Sequence, residues 1–414
     1  MSSLQPIRGT HDLLADEYQL HRMVCETAYE VALRYGYREI STPIFEATEV
    51  FARTLGETSD IVTKEMYTFE DRNGDSITLR PEYTAGIARM LMSNGLYQSL
   101  PLKTFARGPM FRRERPQKGR QRQFHQIDAE ILGVPGPQAD IEVIALGAHI
   151  LEALGLSADI KLELNSLGDA ESRQTYRGQL VEYFADHRAD LSAESQVRLE
   201  KNPLRILDSK DRKDKEIVKG APLLGGSLNA LSEDFFATVK SGLEAIGIAF
   251  ELNPYLVRGM DYYCHTAFEF TTTTLGAQGA VLAGGRYDGL VETMGGTPTP
   301  GIGWAAGVER LAMMVGKAPE IPGPIVVIPI GGEAEKMALK ITHQLRHAGF
   351  TVDLGFSGNV KKRLNRANKA NAVAAVLMGE DELAKGTATI RDMETGEQAE
   401  VPLASVEEHL SRYH

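Results

Sequence analysis

Residues 107–130 read RGPMFRRERPQKGRQRQFHQIDAE, and the rest of the chain is organised around this stretch. Seven basic residues crowd into its first sixteen positions, namely Arg107, Arg112, Arg113, Arg115, Lys118, Arg120 and Arg122. Pro116 and Gly119 predict a turn in the middle, and the flanking segments 104–112 and 123–132 have the composition of strands. The stretch therefore predicts a basic β-hairpin.

This basic hairpin stands in an acidic chain, whose formal net charge is −11. Positive charge concentrated in one short segment of an acidic protein indicates a site for a polyanion. A solvated basic loop is the alternative interpretation. An aromatic ring, an amide and carboxylates are interspersed with the arginines, at Phe124, Gln126, Glu114 and Glu130, and this mixture favours a binding pocket.

Length and composition predict an ordinary globular protein. The 414 residues are 43% hydrophobic and 24% charged, which suits two or three domains and argues against global disorder. The two cysteines, Cys25 and Cys264, form no Cys-x-x-Cys pair, so neither a disulfide framework nor a structural zinc site is expected. No run reaches the ~18 apolar residues of a membrane span, and the start has no apolar signal core. We expect a cytoplasmic protein that does not bind membranes.

The first 100 residues predict a helix and a hairpin. Apolar residues recur at helical spacing within 12–35, at Leu20, Met23, Val24, Thr27 and Val31. Pro43 interrupts a strand-like run at 38–45, so this strand should lie at a sheet edge or break there. Such an edge is either a dimer seam or is covered within one subunit. A hairpin at 66–79 then delivers the segment 80–84, whose Glu82 and Thr84 suit either helix capping or ligand binding.

The middle of the chain changes character twice. A helix at 139–154 and a strand at 160–165 precede long polar helices between residues 168 and 247, which predict an inserted helical subdomain. Strand character resumes at 249–256 and at 266–273. Between them lies the segment Val-Arg-Gly-Met-Asp-Tyr-Tyr, residues 257–263, which suits a polar pocket or a tyrosine-rich turn.

Glycine-rich segments follow, at 283–289 and 301–310. The second predicts a passage from strand to helix in which the backbone can approach a ligand closely. Neither segment is a Walker loop or a Rossmann fingerprint.

The last hundred residues predict a separate small domain. A linker at 317–323 precedes alternating strands and helices in a βαβαβ pattern, which is typical of a largely parallel sheet. Its second helix, 360–368, and the residue that follows collect positive charge at Lys361, Lys362, Arg363, Arg366 and Lys369. This helix presents either a solvated face or a contact for RNA.

Together these residues resemble the class II aminoacyl-tRNA synthetases. Phe111-Arg112-x-Glu114 with Arg120-x-x-x-Phe124-x-x-x-Asp128 matches motif 2, and the segment 301–310 matches motif 3. The first helix and the strand with Pro43 look like motif 1. Within the class, residues 256–263 and 283–290 resemble the two signatures of histidyl-tRNA synthetases.

The resemblance implies a fold and a division of the chain. It implies an α+β catalytic domain built on an antiparallel sheet, a helical insertion, and a C-terminal α/β anticodon-binding domain. The catalytic domain would span 1–167 and 249–318, with the insertion at 168–248, a linker at 319–323 and the anticodon-binding domain at 324–414. The family also implies a homodimer through the motif 1 region.

The activity implied is a two-step ligation of L-histidine to tRNA-His. Histidine attacks ATP to form histidyl-adenylate, and the terminal ribose of the tRNA then takes the histidyl group. The resemblance places Arg112 and Arg258 at the α-phosphate, Arg310 at the γ-phosphate, and Glu114 and Phe124 at the adenine. Mg²⁺ would enter with ATP, without a dedicated protein metal site, and Arg258 would stand where other class II enzymes rely on a metal ion.

The same resemblance assigns the histidine site. Glu130 and Tyr262 would hold the imidazole ring, with Tyr263 close by and Tyr287 completing the wall. The α-amino end would be held by three residues, Glu82, Thr84 and Gln126. Arg112, Arg258 and Tyr83 would also line this part of the site.

Contact with the acceptor end of tRNA would come from the turn of the basic hairpin, at Gln117, Arg120, Gln121 and Arg122. Two positions depart from the common bacterial pattern, because Tyr83 replaces a glycine and Gln121 a tyrosine. A bulky ring beside the amino-end contacts and an altered turn place the details of histidine and tRNA recognition in question.

Two alternatives remain at this point. A catalytically inactive paralogue that binds histidine and regulates histidine biosynthesis would resemble the catalytic domain. Such paralogues typically lose the arginine signature and the anticodon-binding domain, and both are present here. A synthetase for another amino acid of the same subclass would not be expected to match the signature at 256–263.

Overall fold

We analysed a computed structural model, which describes residues 4–55, 61–117, 119–207, 209, 211–260, 262–275 and 279–413. Lys118 of the basic hairpin and Asp261 of the arginine signature lie outside these residues. The chain forms two compact units, Met1–Ala318 and Pro319–His414.

The strands of the first unit are β1 Arg38–Ile40, β2 Phe45–Ala47, β3 Tyr67–Glu70, β4 Ser76–Leu79, β5 Leu102–Phe111, β6 Gln123–Leu132, β7 Lys161–Ser166, β8 Glu251–Leu252, β9 Cys264–Thr271, β10 Ala280–Arg286 and β11 Gly301–Gly307. Its helices are α1 Ala15–Arg34, α2 Thr48–Ala52, α3 Thr84–Ser93, α4 Gln138–Ala153, α5 Ala170–Asp186, α6 Ala193–Lys201, α7 Arg212–Val218, α8 Ala230–Ala245, α9 Leu290–Thr293 and α10 Val308–Val315.

An eight-stranded sheet in the order β1-β5-β6-β11-β10-β9-β7-β8 forms the centre of this unit. The five pairings from β5 to β7 are antiparallel, and only the edge strands β1 and β8 pair in parallel. The predicted fold class, an antiparallel sheet with a helical insertion, is confirmed.

Helices α1 and α4 cover one face of the sheet and build the main core with it. Val24, Ala28 and Val31 of α1 and Val143 of α4 are buried against strand residues such as Trp304. The indole Nε1 of Trp304 donates to the carbonyl of Val143 over 2.9 Å, so the ring is both packed and satisfied. This packing leaves the opposite face of β6 and β11 available for a site.

Pro43 interrupts its strand as predicted. The chain forms β1 before it, at the edge of the large sheet, and β2 after it, in a separate three-stranded sheet of order β2-β4-β3. Because proline cannot donate to a ladder, the two halves of the run join different sheets.

One local prediction was wrong. The strand expected at 249–256 is reduced to Glu251–Leu252, because Asn253 and Pro254 turn the chain and proline ends the ladder.

The structure separates the roles left open for Glu82 and Thr84. The hydroxyl of Thr84 donates to Glu130 and does not cap α3, whereas the carboxylate of Glu82 accepts the amide N–H of Ala85 in the first turn of α3 over 2.9 Å.

The predicted helical insertion is formed by α5 to α8. Asp169, Ser192, Asp211 and Asn229 each begin one of these helices with a side chain that accepts a backbone N–H. Tyr176, Leu180 and Phe184 of α5 centre a small core of its own.

The second unit contains the predicted βαβαβ pattern. Its elements are β12 Ile325–Pro329, α11 Gly332–His347, β13 Val352–Leu354, α12 Val360–Lys369, β14 Ala374–Met378, α13 Glu380–Lys385, β15 Thr387–Asp392, β16 Gln398–Pro402 and α14 Val406–Leu410. The strand order is β13-β12-β14-β15-β16, in which the first three strands are parallel. The antiparallel pair β15 and β16 was not predicted. No helix of the described chain is long and apolar enough to cross a membrane.

Candidate active site

Strand β6 carries the site because every second side chain of it faces the same cleft. Phe124, Gln126, Asp128 and Glu130 alternate with residues that enter the main core, such as Ile127 and Ala129. The strand pairs with β5 over its whole length and with β11 from Gln126 to Leu132. Flanked on both sides, β6 is a rigid platform beneath a cavity of about 390 Å³.

Eleven of the residues assigned to the site by sequence line this cavity. They are Glu82, Thr84, Arg112, Glu114, Arg120, Gln121, Phe124, Gln126, Arg258, Tyr263 and Arg310. They come from segments as distant in sequence as Glu82 and Arg310. Strand β6, the loops next to β5 and β9, and the starts of α3 and α10 bring them together. The remaining assigned residues, Tyr83, Gln117, Arg122, Glu130, Tyr262 and Tyr287, do not line it.

One end of the cavity is rich in arginine. Arg112 lies over the ring of Phe124, with its Cζ 5.2 Å from the ring centroid, and its Nε donates to the carbonyl of Pro81. Arg310 at the start of α10 donates to the carbonyl of Ala280. Burial and the nearby charge of Arg120 lower the pKa of Arg310. Positive charges repel each other at this end of the cavity, and a bound anion would reduce that repulsion.

Glu114 and Arg120 face each other across the hairpin. Their side chains form an ion pair with 3.0 Å between Nη1 and Oε2. Gln117 and Arg120 close the turn through their backbones, and Arg122 donates its backbone N–H to Gly9. Arg120 and Gln121 thus face the cavity, whereas Gln117 is exposed at the tip of the hairpin.

The other end of the cavity is acidic, since Glu82 and Asp128 line it and Glu130 contacts Thr84 of the lining from outside. Glu130 is buried, and it accepts the hydroxyl of Thr84 over 2.6 Å and the hydroxyl of Tyr287 through its second oxygen. Burial raises the pKa of Glu130 to about 8, although both hydrogen bonds oppose the shift. Burial also raises the pKa of Glu82, against the hydrogen bond from Ala85. A ligand that brings positive charge here would be stabilised.

Glycine at position 303 makes room for Glu130. A Cβ at Gly303 would lie 1.5 Å from the Oε2 atom of Glu130, so a larger residue cannot occupy this place on β11 without displacing the carboxylate. The glycine of the strand-to-helix passage is therefore required by its close approach to a buried carboxylate.

The aromatic residues of the acidic end lie at different depths. Tyr263 lines the cavity, while Tyr262 packs between Tyr263 and Tyr287 with its hydroxyl 3.2 Å from the sulfur of Met260. Tyr83 points away, since its ring lies under the guanidinium of Arg80 at 4.5 Å and its hydroxyl lies against Gly108. Any effect of Tyr83 on the site must pass through its neighbours.

Arg258 stands between the two ends. Its Nη1 pairs with Glu269 of β9, and its guanidinium lies 5.2 Å from the ring centroid of Tyr263. The segment that contains Arg258 is hydrogen-bonded to strand β7 and to the helical insertion. Asn165 of β7 donates to the carbonyl of Leu256, and two arginines of the helical insertion, Arg173 and Arg205, donate to the carbonyls of Tyr263 and Gly259.

The comparisons with known proteins agree with this geometry. The family model for histidyl-tRNA synthetase matches residues 9–311, and that for the anticodon-binding domain matches residues 324–413. The histidine–tRNA ligase of Rhodospirillum rubrum is 60% identical over 414 residues and covers the whole of both chains.

The chain belongs to the histidyl-tRNA synthetase family.

Solved structures extend the comparison to the fold. Apo histidyl-tRNA synthetase of S. aureus superposes with a TM-score of 0.83 at 33% identity, covering 98% of this chain and 99% of that chain. A Bacillus halodurans C protein described as an ATP phosphoribosyltransferase regulatory subunit/histidyl-tRNA synthetase has a TM-score of 0.68 at 23% identity, covering 92% and 99%. At that identity it shows only that the fold is shared. The full-length relative therefore favours the synthetase over the regulatory paralogue.

Three features of this family member received no role from the sequence. Asp128 closes the motif 2 pattern and lines the cavity, and the alternation of β6 places it on the same face as Gln126 and Glu130. Arg286 of the second histidine signature is buried and pairs with Asp140 of α4, so it fixes its segment and does not face the cavity.

The third feature is a contact between motifs 2 and 3. The carboxylate of Glu309 accepts both the backbone N–H and the ring Nδ1–H of His125, each over 2.8–2.9 Å. His21 of α1 approaches the same pair, and one potential ligand atom from each of the three residues lies within 4.8 Å of the others. Since His125 lies between Phe124 and Gln126, this contact anchors α10 to the strand that bears the site.

Proposed function

We propose that this chain ligates L-histidine to tRNA-His through a histidyl-adenylate, and that the cleft above β6 is where both steps occur. The ligation of histidine to tRNA is the activity that the names of its full-length relatives carry. The observation that supports the location is the position of Arg258, between an arginine-rich end and an acidic end of one cavity.

In the first step an oxygen of the histidine carboxylate attacks the α-phosphorus of ATP. The bond from that phosphorus to the bridging oxygen breaks, and pyrophosphate leaves. Negative charge grows on the phosphoryl oxygens, so fixed cations nearby stabilise the transition state. Arg112 and Arg258 fill this role, since guanidinium groups stay charged and donate in a fork.

The nucleotide lies at the arginine-rich end. Phe124 offers its face to the adenine, Glu114 accepts from the adenine amino group, and Arg310 holds the γ-phosphate. Mg²⁺ enters with ATP and screens phosphate charge. The carboxylates of Glu114 and Glu269 on the cavity wall fit a cation that keeps most of its ligands from phosphate and water.

Histidine lies at the acidic end. Its imidazole ring contacts Glu130 and Tyr262, with Tyr263 and Tyr287 around it. Glu82, Thr84 and Gln126 hold the α-amino end. A neutral imidazole has one donor and one acceptor, so a site of fixed hydrogen-bonding partners rejects side chains that leave those partners unpaired.

In the second step the terminal ribose hydroxyl of tRNA attacks the histidyl carbonyl, and AMP leaves. Gln117, Arg120, Gln121 and Arg122 of the hairpin turn contact the acceptor end. Helix α12 and its basic residues contact the anticodon region. The contact of α12 is supported by the match to an anticodon-binding domain, and both contacts are supported by the positive charge of the two segments. We propose that this reaction takes place in the cytoplasm, where it supplies translation with charged tRNA.

We also propose a homodimer through the motif 1 region. Apolar side chains are exposed on the small sheet and next to it, where Ile44, Phe45 and Phe69 are 45–58% exposed. An apolar patch of this kind is typical of a surface that another protein covers. Sedimentation of the purified chain at its working concentration tests this, and a stable monomer would contradict it.

Pyrophosphate exchange with ATP tests the proposed chemistry. We expect exchange with histidine and none with the other standard amino acids. The purified chain should then charge tRNA-His transcripts, and transcripts with and without an extra 5′ guanosine show which acceptor end the turn recognises. Histidine binding without exchange would support the regulatory paralogue and contradict the enzyme.

A further inference from the structure

Asp128 lines the cavity and closes the motif 2 pattern, but none of the roles proposed above involves it. It lies at the centre of β6, between Gln126 and Glu130 on one face of the strand, is 1% exposed, and lines the cavity. Its Oδ1 atom has no hydrogen-bonding partner within the described residues. Burying an unpaired carboxylate oxygen is costly, so a protein that keeps one in a cavity indicates a missing ligand.

The charges around Asp128 increase this cost. Burial raises the pKa of its carboxyl group well above the usual range, and the negative charges of Glu130 and Glu82 raise it further. The other two carboxylates are better satisfied. Glu82 accepts from Ala85, and Glu130 accepts from Thr84 and Tyr287. Asp128 is thus the carboxylate of this group that depends most on a partner from outside.

A second unpaired acceptor lies beside it. The Oε1 atom of Gln126 is also buried without a hydrogen-bonding partner within the described part of the chain. Gln126 and Asp128 are two residues apart on one strand, so their side chains emerge on the same face at neighbouring positions. Two adjacent acceptors, one of them charged, fit a group with several N–H donors and a positive charge.

We propose that Asp128 binds the α-ammonium group of the amino acid, together with Gln126 and Glu82. The inference rests on the proposed function, because it specifies how the same site holds its substrate. An ammonium group offers three donors, and these three side chains offer three acceptors. The imidazole ring remains with Glu130, whose oxygens already have two fixed donors and mark a deeper position on β6.

Asp128→Asn tests the assignment, since it removes the charge and keeps the size. Binding of three ligands to the full chain is measured by calorimetry. Histidine has ring, ammonium and carboxylate, histidinol lacks the carboxylate, and 3-(imidazol-4-yl)propionate lacks the ammonium. We expect affinity for histidine and histidinol to fall about 10- to 100-fold, as for a lost hydrogen bond to a charged group, and affinity for the propionate to stay unchanged or rise.

Equal losses for all three ligands would place Asp128 at the ring and overturn the proposal, and so would no loss at all. Thermal unfolding of the ligand-free chain gives a second readout. We expect Asp128→Asn to unfold at the same temperature as the wild type or higher, because the substitution removes a buried carboxyl group that lacks a partner for Oδ1 and is repelled by Glu130 and Glu82. Asp140→Asn is the matched control, since Asp140 is equally buried but paired with Arg286, and it should unfold at lower temperature.

A large fall in the unfolding temperature of Asp128→Asn, or failure to fold, would show that Asp128 holds the fold and would also overturn the proposal. Failure of the proposed function is separate from these outcomes. If the wild-type chain binds no histidine, the function itself is wrong. If the wild type binds histidine and the variant binds it equally well, only the role of Asp128 is wrong.

Discussion

Arg258 is the residue on which the proposed first step depends most. Its side chain is 11% exposed, its pair with Glu269 fixes one edge of the guanidinium, and the residue lines the cavity between its two ends. We expect Arg258→Ala to reduce histidine-dependent pyrophosphate exchange by about 10²-fold or more, since one donor to a developing charge is lost. The fold should persist, because Arg258 lies in a loop beside the cavity.

The matched variant is Arg258→Lys, which keeps the positive charge but cannot donate the paired hydrogen bonds of a guanidinium group. It should retain more exchange than the alanine variant and less than the wild type. Near-normal exchange in Arg258→Ala, with histidine binding unchanged, would contradict the assignment.

Glu130 predicts a pH dependence of stability. Burial raises the pKa of its carboxyl group from 4.5 to about 8, so the folded chain binds a proton more tightly here than the unfolded chain does. The free energy of unfolding should therefore fall as pH rises from about 4.5 to about 8, by up to about 1.4 kcal/mol per pH unit from this group. Urea unfolding of wild type and Glu130→Gln at several pH values measures the difference. Parallel slopes in the two proteins would refute it.

At the scale of elements, the helical insertion supports the loop of Arg258. Arg173 of α5 donates from Nη1 to the carbonyl of Tyr263 over 2.7 Å, and Arg205 donates to the carbonyl of Gly259. We expect Arg173→Ala to raise the KM for histidine several-fold while the KM for ATP changes little, because Tyr263 lies at the end of the cavity proposed to bind histidine. Steady-state exchange kinetics give both constants.

Arg177→Ala is the control for this variant. Arg177 lies one turn further along α5, is exposed, and contacts the carbonyl of Lys201 within the insertion. It should leave both constants unchanged. Equal effects of the two variants would mean that the insertion acts through its own stability and not through the Arg173 contact.

Elements were predictable from sequence where local signals agreed. The two limbs of the basic hairpin, the break at Pro43 and the passage from strand to helix at residues 301–310 all follow from turn residues and alternation. The strand expected at 249–256 failed because Pro254 outweighed its apolar neighbours. The pairing of β15 with β16 was missed because these strands follow the βαβαβ segment, and that pattern does not predict whether further antiparallel strands are added.

Some residues of the candidate site were also predictable from sequence, and others were not. Residues in a named motif, such as Arg112 and Arg310, could be placed in advance, and the cavity brings them together. The rotation of Tyr83 away from the cavity toward Arg80 depends on tertiary packing that no local pattern contains. The unpaired state of Asp128 also became visible only when its neighbours on three strands were in place.

For the whole molecule, the charge pattern of the second unit is the feature that local structure does not explain. Arg363 and Arg366 of α12 donate to the carbonyls of Pro329 and Ser357, so these two stabilise their own unit. Lys361, Lys362 and Lys369 are exposed on the same helix of a chain with net charge −11. Their exposure and clustering favour contact with the phosphates of an RNA.

Replacing these three lysines with alanine should therefore weaken tRNA binding without affecting chemistry in the first unit. We expect the KM for tRNA-His to rise about 10-fold and the salt dependence of binding to flatten by about two to three counterions, since each phosphate contact releases roughly 0.7–0.9 of one. Pyrophosphate exchange, which needs no tRNA, should stay at the wild-type rate. Replacing Lys336 and Lys340 of α11 and Lys385 of α13, which are also exposed in the same unit, removes the same charge. This matched control should leave the KM for tRNA unchanged. If both sets of substitutions weaken tRNA binding equally, net charge alone is responsible, and α12 is not a specific contact.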